Sequence, residues 1–147
     1  MKFQLHSFGE SGHSYKIALA LHVAKVDWQQ IFIDFFRGEA RSETYKNEIN
    51  AMAEVPVLIH GDKKISHSGA ILDYLHGKIG IYFGKNEQER SEILRWVLWD
   101  NSRLSGSLGP TRFLMNFIPK DKKPIEVIRY LQKRNSTALS ILESHLS

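Results

Sequence analysis

Residues 54–75 read EVPVLIHGDKKISHSGAILDYL, with Pro56 standing at the entrance of a short apolar run. Proline has no N–H to give to a sheet ladder, so it occurs at strand starts, edges or turns and not inside a central strand. Pro56 therefore marks where the chain turns into a strand spanning Pro56–His60. Gly61-Asp62 supplies a turn, Lys64–Ser66 a second short strand, and the pair is expected to form a hairpin. SHSG then opens a helix whose Ile71, Leu72 and Leu75 share one face, running to about Lys78 before Gly80.

Upstream, Lys2–His6 alternates Phe3 and Leu5 with polar neighbours, as a half-buried strand does. Ser7–Gly12 is rich in Ser and Gly and reads as a loop. From Ser14 onward, YKIALALHVAK places Ile17, Leu21 and Ala24 at helical spacing, with Lys25 complementing the helix dipole at the end. Trp28–Ile33 is strand-like. Asp34–Ser42 is a charged loop, and Glu43–Ile49 a weak, mostly polar helix. The order is β-α-β-α-β-β-α. The first strand, helix and strand imply a parallel pair with a right-handed crossover, and the hairpin adds antiparallel strands. A mixed sheet with helices on both faces is expected.

Strand signals fade after residue 80. IGIYFGKNEQ is a connection, and Glu87–Met115 carries the apolar spacing of a long helix whose second half Gly106 and Gly109 weaken and that Pro110 is expected to kink. Pro124 suits the first turn of a further amphipathic helix through Ile125, Ile128 and Leu131 to Leu142. Two helices leave their far faces in want of cover. The expectation is an α/β domain over residues 1–78, a linker over 79–88 and an incomplete all-α domain over 89–147, in a natural protein that continues further.

With 42% apolar and 24% charged residues, the 147-residue chain has the composition of a soluble globular protein. It contains no uninterrupted apolar run near the ~20 residues that a membrane helix requires. Gln4, His6 and Glu10 interrupt the start too early for a secretory signal, so no membrane association and a cytoplasmic location are expected. The absence of cysteine excludes disulfides, thiolate metal sites and redox chemistry through a protein thiol. The net charge of +4 is mild, and its Lys120, Lys122, Lys123 run between prolines reads as a solvated loop, so no nucleic-acid partner is expected. The seven histidines are scattered without metal-ligand spacing, and no metal is expected. Nucleophile-elbow, phosphate-loop and HExxH patterns are absent.

The strand-helix order resembles the thioredoxin fold. NAMAEVPVLI followed by KISHSGAILDYL and a purely helical segment resembles the cytosolic glutathione transferases, and LHSFGESGHSYKIALAL resembles bacterial serine-type members in which a Ser-Gly pair opens the first helix. The resemblance implies a thioredoxin-like N-terminal domain followed by a truncated helical one. It implies an enzyme that conjugates glutathione thiolate to small hydrophobic electrophiles, in detoxification, as a homodimer. Glutathione is then a co-substrate and no cofactor is needed. A non-catalytic binding module on the same fold is the alternative.

The resemblance implies a cis peptide bond before Pro56 and pairing of the Val55 backbone with the cysteinyl backbone of glutathione. It also implies that Ser68 binds the γ-glutamyl carboxylate at a helix start, where unpaired N–H groups favour anions. Capping is the other role open to Ser68. For the thiolate, a hydroxyl donor just after the first strand is required; Ser11 matches the family position, Ser14 comes second, and Ser7 and Tyr15 are also present. N-capping is the alternative for Ser11, and Tyr15 is expected to pack or cap. The chain departs from the family at three places. His67 stands where Glu or Gln is usual; protonated, it would repel the glutathione ammonium and weaken binding in mild acid. Glu54 stands where Lys or Gln would meet the glycyl carboxylate, so Arg41, Arg37 or Lys46 is expected to supply the cation. Ala53 stands where glycine is usual. Trp96, Trp99 and Phe113 either line an acceptor pocket or pack in a core.

Overall fold

The computed structural model describes residues 2–147, and its contacts resolve into two units, Met1–Arg90 and Ser91–Ser147. In the first, β1 (Phe3–Ser7), α1 (Gly12–Val23), β2 (Trp28–Phe32), α2 (Glu43–Glu48), β3 (Val57–His60), β4 (Lys63–Ser66) and α3 (Ser68–Ile79) follow in chain order. The sheet has the order β2-β1-β3-β4. β1 runs parallel to β2, with Phe3 opposite Trp28, and antiparallel to β3, with Leu5 opposite Leu58. β3 and β4 form the antiparallel hairpin, with Val57 opposite Ser66. This is the thioredoxin-like mixed sheet that the sequence implies.

Side-chain alternation along β1 and β3 divides the core in two. Leu5 and Leu58 point to one face and pack with Phe3, Ile17, Leu21, Ile71 and Leu75, so α1 and α3 cover that side. Val57, a residue out of step with Leu58, faces Ile33, Ala40 and Tyr45 on the side of α2. Each fully buried Leu or Ile contributes about 1.5–3 kcal/mol. The weak, polar α2 is held by Tyr45, which is 4% exposed, rather than by an apolar stripe.

The expected long helix is divided. α4 (Glu87–Trp99) passes through a π-helical turn at Asp100–Leu104 into α5 (Ser105–Asn116). The interruption thus precedes Pro110, which lies inside α5. At the turn, Ser105 N–H donates to Asp100 O, and a Cβ on Gly106 would lie 2.8 Å from Asn101 O. Glycine at 106 permits that approach. α6 (Ile125–Leu146) packs on α5 through small and polar side chains: Asn135 Nδ2 donates to Thr111 Oγ1 at 2.9 Å, beside buried Ala138. Trp96 and Trp99 are half-buried, with Trp96 stacked on His145 at 4.0 Å, and Phe113 is exposed. None of the three belongs to a fully buried core. No helix of the described residues is long and apolar enough to cross a membrane.

His6 shares the α2 side of the sheet, opposite Val57. It is 8% exposed, and its Nδ1 has no hydrogen-bond partner among the described residues. Burial holds its pKa below the ordinary 6.5; Lys64 lowers it further and Glu39 opposes. The unfolded chain therefore takes up a proton that the folded one resists. The stability tied to neutral His6 is present above pH 6.5 and is lost as pH falls toward the folded-state value. Thermal melts of wild type and His6→Gln should diverge accordingly. The wild-type melting temperature falls more steeply below pH 6.5, and parallel pH profiles would remove His6 from this role.

Candidate functional site

Four chain segments meet at one cleft of about 500 Å³ in the first unit. They are the start of α1, the turn at Glu39–Arg41, the loop leading into β3 and the start of α3. All of the predicted contributors line it: Ser11, Arg41, Val55, Pro56, His67 and Ser68. His13, Phe8 and Phe35 also line it but were not singled out in the sequence.

At α1, Ser11 is the N-cap, and its Oγ accepts from Ser14 N–H at 3.1 Å. Capping uses an oxygen lone pair and leaves the Ser11 proton to be donated elsewhere. Capping and donation are therefore compatible at this residue. Ser14 points inward, 3% exposed, and Ser7 is buried in β1 where it accepts from Gln30 Nε2 at 3.1 Å. Neither lines the cleft. Tyr15 neither packs nor caps: it is 65% exposed, because one position past buried Ser14 turns it away from the core.

The loop before β3 is held by its own backbone. Glu54 O accepts from Tyr45 Oη at 3.0 Å and from Asn50 Nδ2 at 3.1 Å, while Asn50 Oδ1 accepts from Met52 N–H. Burial, with Glu39 adding to it, pushes the Tyr45 phenol up to about 12, so it remains a donor throughout the physiological range. The next peptide bond, Val55-Pro56, is cis, as the resemblance implies. Ala53 sits at φ 57°, in the left-handed region that favours glycine.

At α3, His67 has φ 70° and ψ 120°, and caps the helix without a side-chain hydrogen bond. Backbone held outside the favoured regions in this way costs about 1–3 kcal/mol and clusters at ligand sites. Ser68 is 2% exposed, and its Oγ lies 3.1 Å from His13 Nδ1. The sequence gives little hint of that pairing, since the two residues are 55 apart in the chain. Only the packing of α1 against α3 unites them.

Among the three candidate cations, Arg41 alone faces the cleft. Its guanidinium lies 5.5 Å from the Phe35 ring centroid, and Phe35 stacks on Phe8 at 4.6 Å. Arg37 pairs instead with Asp34, and Lys46 with Glu43. The exposed Glu54 side chain also borders the cleft. No cluster of three or more metal-ligating side chains occurs among the described residues.

Residues 1–77 match the glutathione S-transferase N-terminal domain. The chain belongs to the glutathione S-transferase family. Along 99% of its length it is 27% identical to a zeta-class glutathione S-transferase of Euphorbia esula, covering 64% of that protein. It is also 29% identical, over 84% of its length, to the disulfide-bond oxidoreductase YfcG of Escherichia coli, covering 60% of it. A possible glutathione S-transferase from Rhodopseudomonas palustris superposes with a TM-score of 0.86 at 26% identity, covering 98% of this chain and 65% of that one. The chain thus spans less than two thirds of these relatives.

Replacing Ala53 by glycine should relieve the left-handed backbone and raise stability by up to about 1 kcal/mol, because the lost strain exceeds the added chain entropy. Urea unfolding measures this, and a loss of stability would contradict it. Tyr45→Phe should cost about 1 kcal/mol by removing one donor to Glu54 O; an unchanged unfolding midpoint would show that Asn50 alone suffices.

Proposed function

We propose that this protein binds glutathione in the cleft of its first unit and conjugates the thiolate to small hydrophobic electrophiles. The observation that carries the reading is the convergence of Ser11, the Val55-Pro56 turn and Ser68 on one cleft in a chain of this family. The Val55 backbone pairs with the cysteinyl backbone of glutathione as a strand edge captures a peptide. Ser68 and the start of α3 take the γ-glutamyl carboxylate, and His67 lies beside its ammonium. Arg41 meets the glycyl carboxylate in place of the cation that Glu54 does not provide. An ordinary thiol has a pKa near ~8.5, and each unit of lowering requires ~1.4 kcal/mol of preferential thiolate stabilisation. Ser11 O–H supplies it by donating to sulfur, and the released proton passes to solvent. The thiolate then forms an S–C bond with the electrophile as the leaving group departs with its electron pair.

A second reading comes from the relative named a disulfide-bond oxidoreductase. Glutathione thiolate attacks a disulfide to give a mixed disulfide and a free thiolate. A second glutathione thiolate attacks that mixed disulfide, releasing glutathione disulfide and the second thiolate. No protein thiol takes part, so the absence of cysteine does not oppose it.

The protein acts in detoxification in the cytoplasm as a homodimer formed through α3 and α4. Leu94 and Leu98 of α4 are exposed apolar residues suited to such an interface.

Retention on immobilised glutathione tests the binding step, and failure to bind would sink both readings. Steady-state conjugation and reduction of a small disulfide then separate them. Ser11→Ala should raise the bound-thiol pKa by about one unit and lower kcat/KM at pH 7 about tenfold. An unchanged rate would remove Ser11 from the chemistry. Size-exclusion mass reads the dimer.

A further inference from the structure

His13 and Ser68 share a hydrogen bond inside the cleft, and its direction decides what Ser68 can do for a ligand. Their Nδ1–Oγ separation is 3.1 Å, Ser68 is 2% exposed, and both line the same cleft. A serine hydroxyl has one proton and two lone pairs. When His13 Nδ1 is an acceptor, Ser68 O–H donates to it, and the oxygen then offers only lone pairs to the cleft. When Nδ1 carries a proton, it donates to Ser68 Oγ, and the Ser68 proton is released to donate into the cleft. Imidazolium admits only this second arrangement, whereas a neutral ring admits both.

We propose that His13 is a positioning residue that turns the Ser68 hydroxyl toward the γ-glutamyl carboxylate of glutathione when it is protonated, making carboxylate capture stronger in mild acid. This rests on the glutathione reading above. Imidazole is the side chain whose charge changes between about pH 5 and 8. Arg41, Glu54 and His67 border the same cleft from the other segments, and Glu10 and Lys16 lie within three residues of His13 along the chain. Of these, only His67 has an imidazole, and its protonation acts in the opposite sense by repelling the ammonium. A comparison at fixed His67 separates the two.

The test uses S-methylglutathione, whose blocked sulfur cannot ionise and whose other groups keep their charge between pH 6 and 8. Calorimetric affinities of wild type, His13→Asn and His13→Ala are measured across that range. An asparagine amide offers Nδ2 as a donor and Oδ1 as an acceptor without a charge change, so its arrangement with Ser68 does not vary with pH. The wild-type to His13→Asn affinity ratio should therefore fall by up to about tenfold from pH 6 to pH 8, the worth of one hydrogen bond to a charged group. His13→Ala should lose the tighter binding at pH 6 while Ser68→Ala abolishes the divergence. A wild-type to His13→Asn ratio that stays constant with pH overturns the proposal while leaving the glutathione reading intact. Absence of binding by wild type at every pH overturns both.

Discussion

The carbonyl oxygen of Glu54 accepts two side-chain hydrogen bonds, and the cleft-facing part of the fold depends on them. Tyr45 from α2 and Asn50 from the loop beyond it converge on this one atom. The donors enter from the side of the sheet where α2 lies, and the atom they hold immediately precedes Val55 and the cis bond to Pro56. The two bonds are half-buried and each contributes about 1 kcal/mol, so the loop is held in one path. That path puts Val55 at the cleft and delivers Val57 and Leu58 to opposite faces of the sheet. α2, short and polar, thus earns its place through one buried phenol.

The sheet order explains why the cleft forms where it does. β1 lies between its parallel partner β2 and its antiparallel partner β3. The chain leaving β1 therefore enters α1 at the same end of the sheet at which the chain enters β3. β4 runs antiparallel to β3, so it also finishes at that end and hands the chain directly to α3. Two helix starts and a proline turn meet there without any long excursion. The core on the α1 and α3 side fixes their spacing, since Ile17, Leu21, Ile71 and Leu75 are all fully buried.

Much of this was legible because it rests on local signals. Pro56 before an apolar run, the Gly61-Asp62 turn and the alternation of Phe3 and Leu5 are each read from neighbours in the chain. The other contributors to the cleft came from the resemblance to a family, and the structure brings Ser11, Val55, Pro56, His67 and Ser68 together with Arg41, one of three cations the sequence left open. What escaped was non-local or depended on competition between residues. His13 meets Ser68 only through helix packing. The interruption falls at the π turn Asp100–Leu104, whereas Gly106, Gly109 and Pro110, the residues that weaken the helix in sequence, all come after it. Tyr15 is expected from the sequence to pack or cap, yet its neighbour Ser14 takes the inward position. The choice of Arg41 was hidden for a different reason: Asp34 and Glu43, which claim Arg37 and Lys46, lie only three residues away in the chain, but that Arg41 faces the cleft depends on the packing of its turn.

Ser11 and Ser68 look alike in sequence, as small hydroxyls beside glycine at the start of a helix, but their protons are governed differently. Ser11 accepts from the backbone N–H of Ser14. A peptide N–H cannot reverse its role, so the direction of that bond is the same at every pH and the Ser11 proton is always left over. Ser68 faces an imidazole nitrogen, which accepts or donates according to its own protonation. A donor meant for a thiolate is needed most where thiols ionise, toward higher pH, and a fixed arrangement serves it. A donor meant for a carboxylate meets an anion across the whole range, and there a titrating neighbour modulates affinity without touching the sulfur chemistry. If Ser11 serves a thiolate and Ser68 a carboxylate, as proposed, the same residue type at two helix starts would separate the two tasks through the identity of a single neighbouring atom.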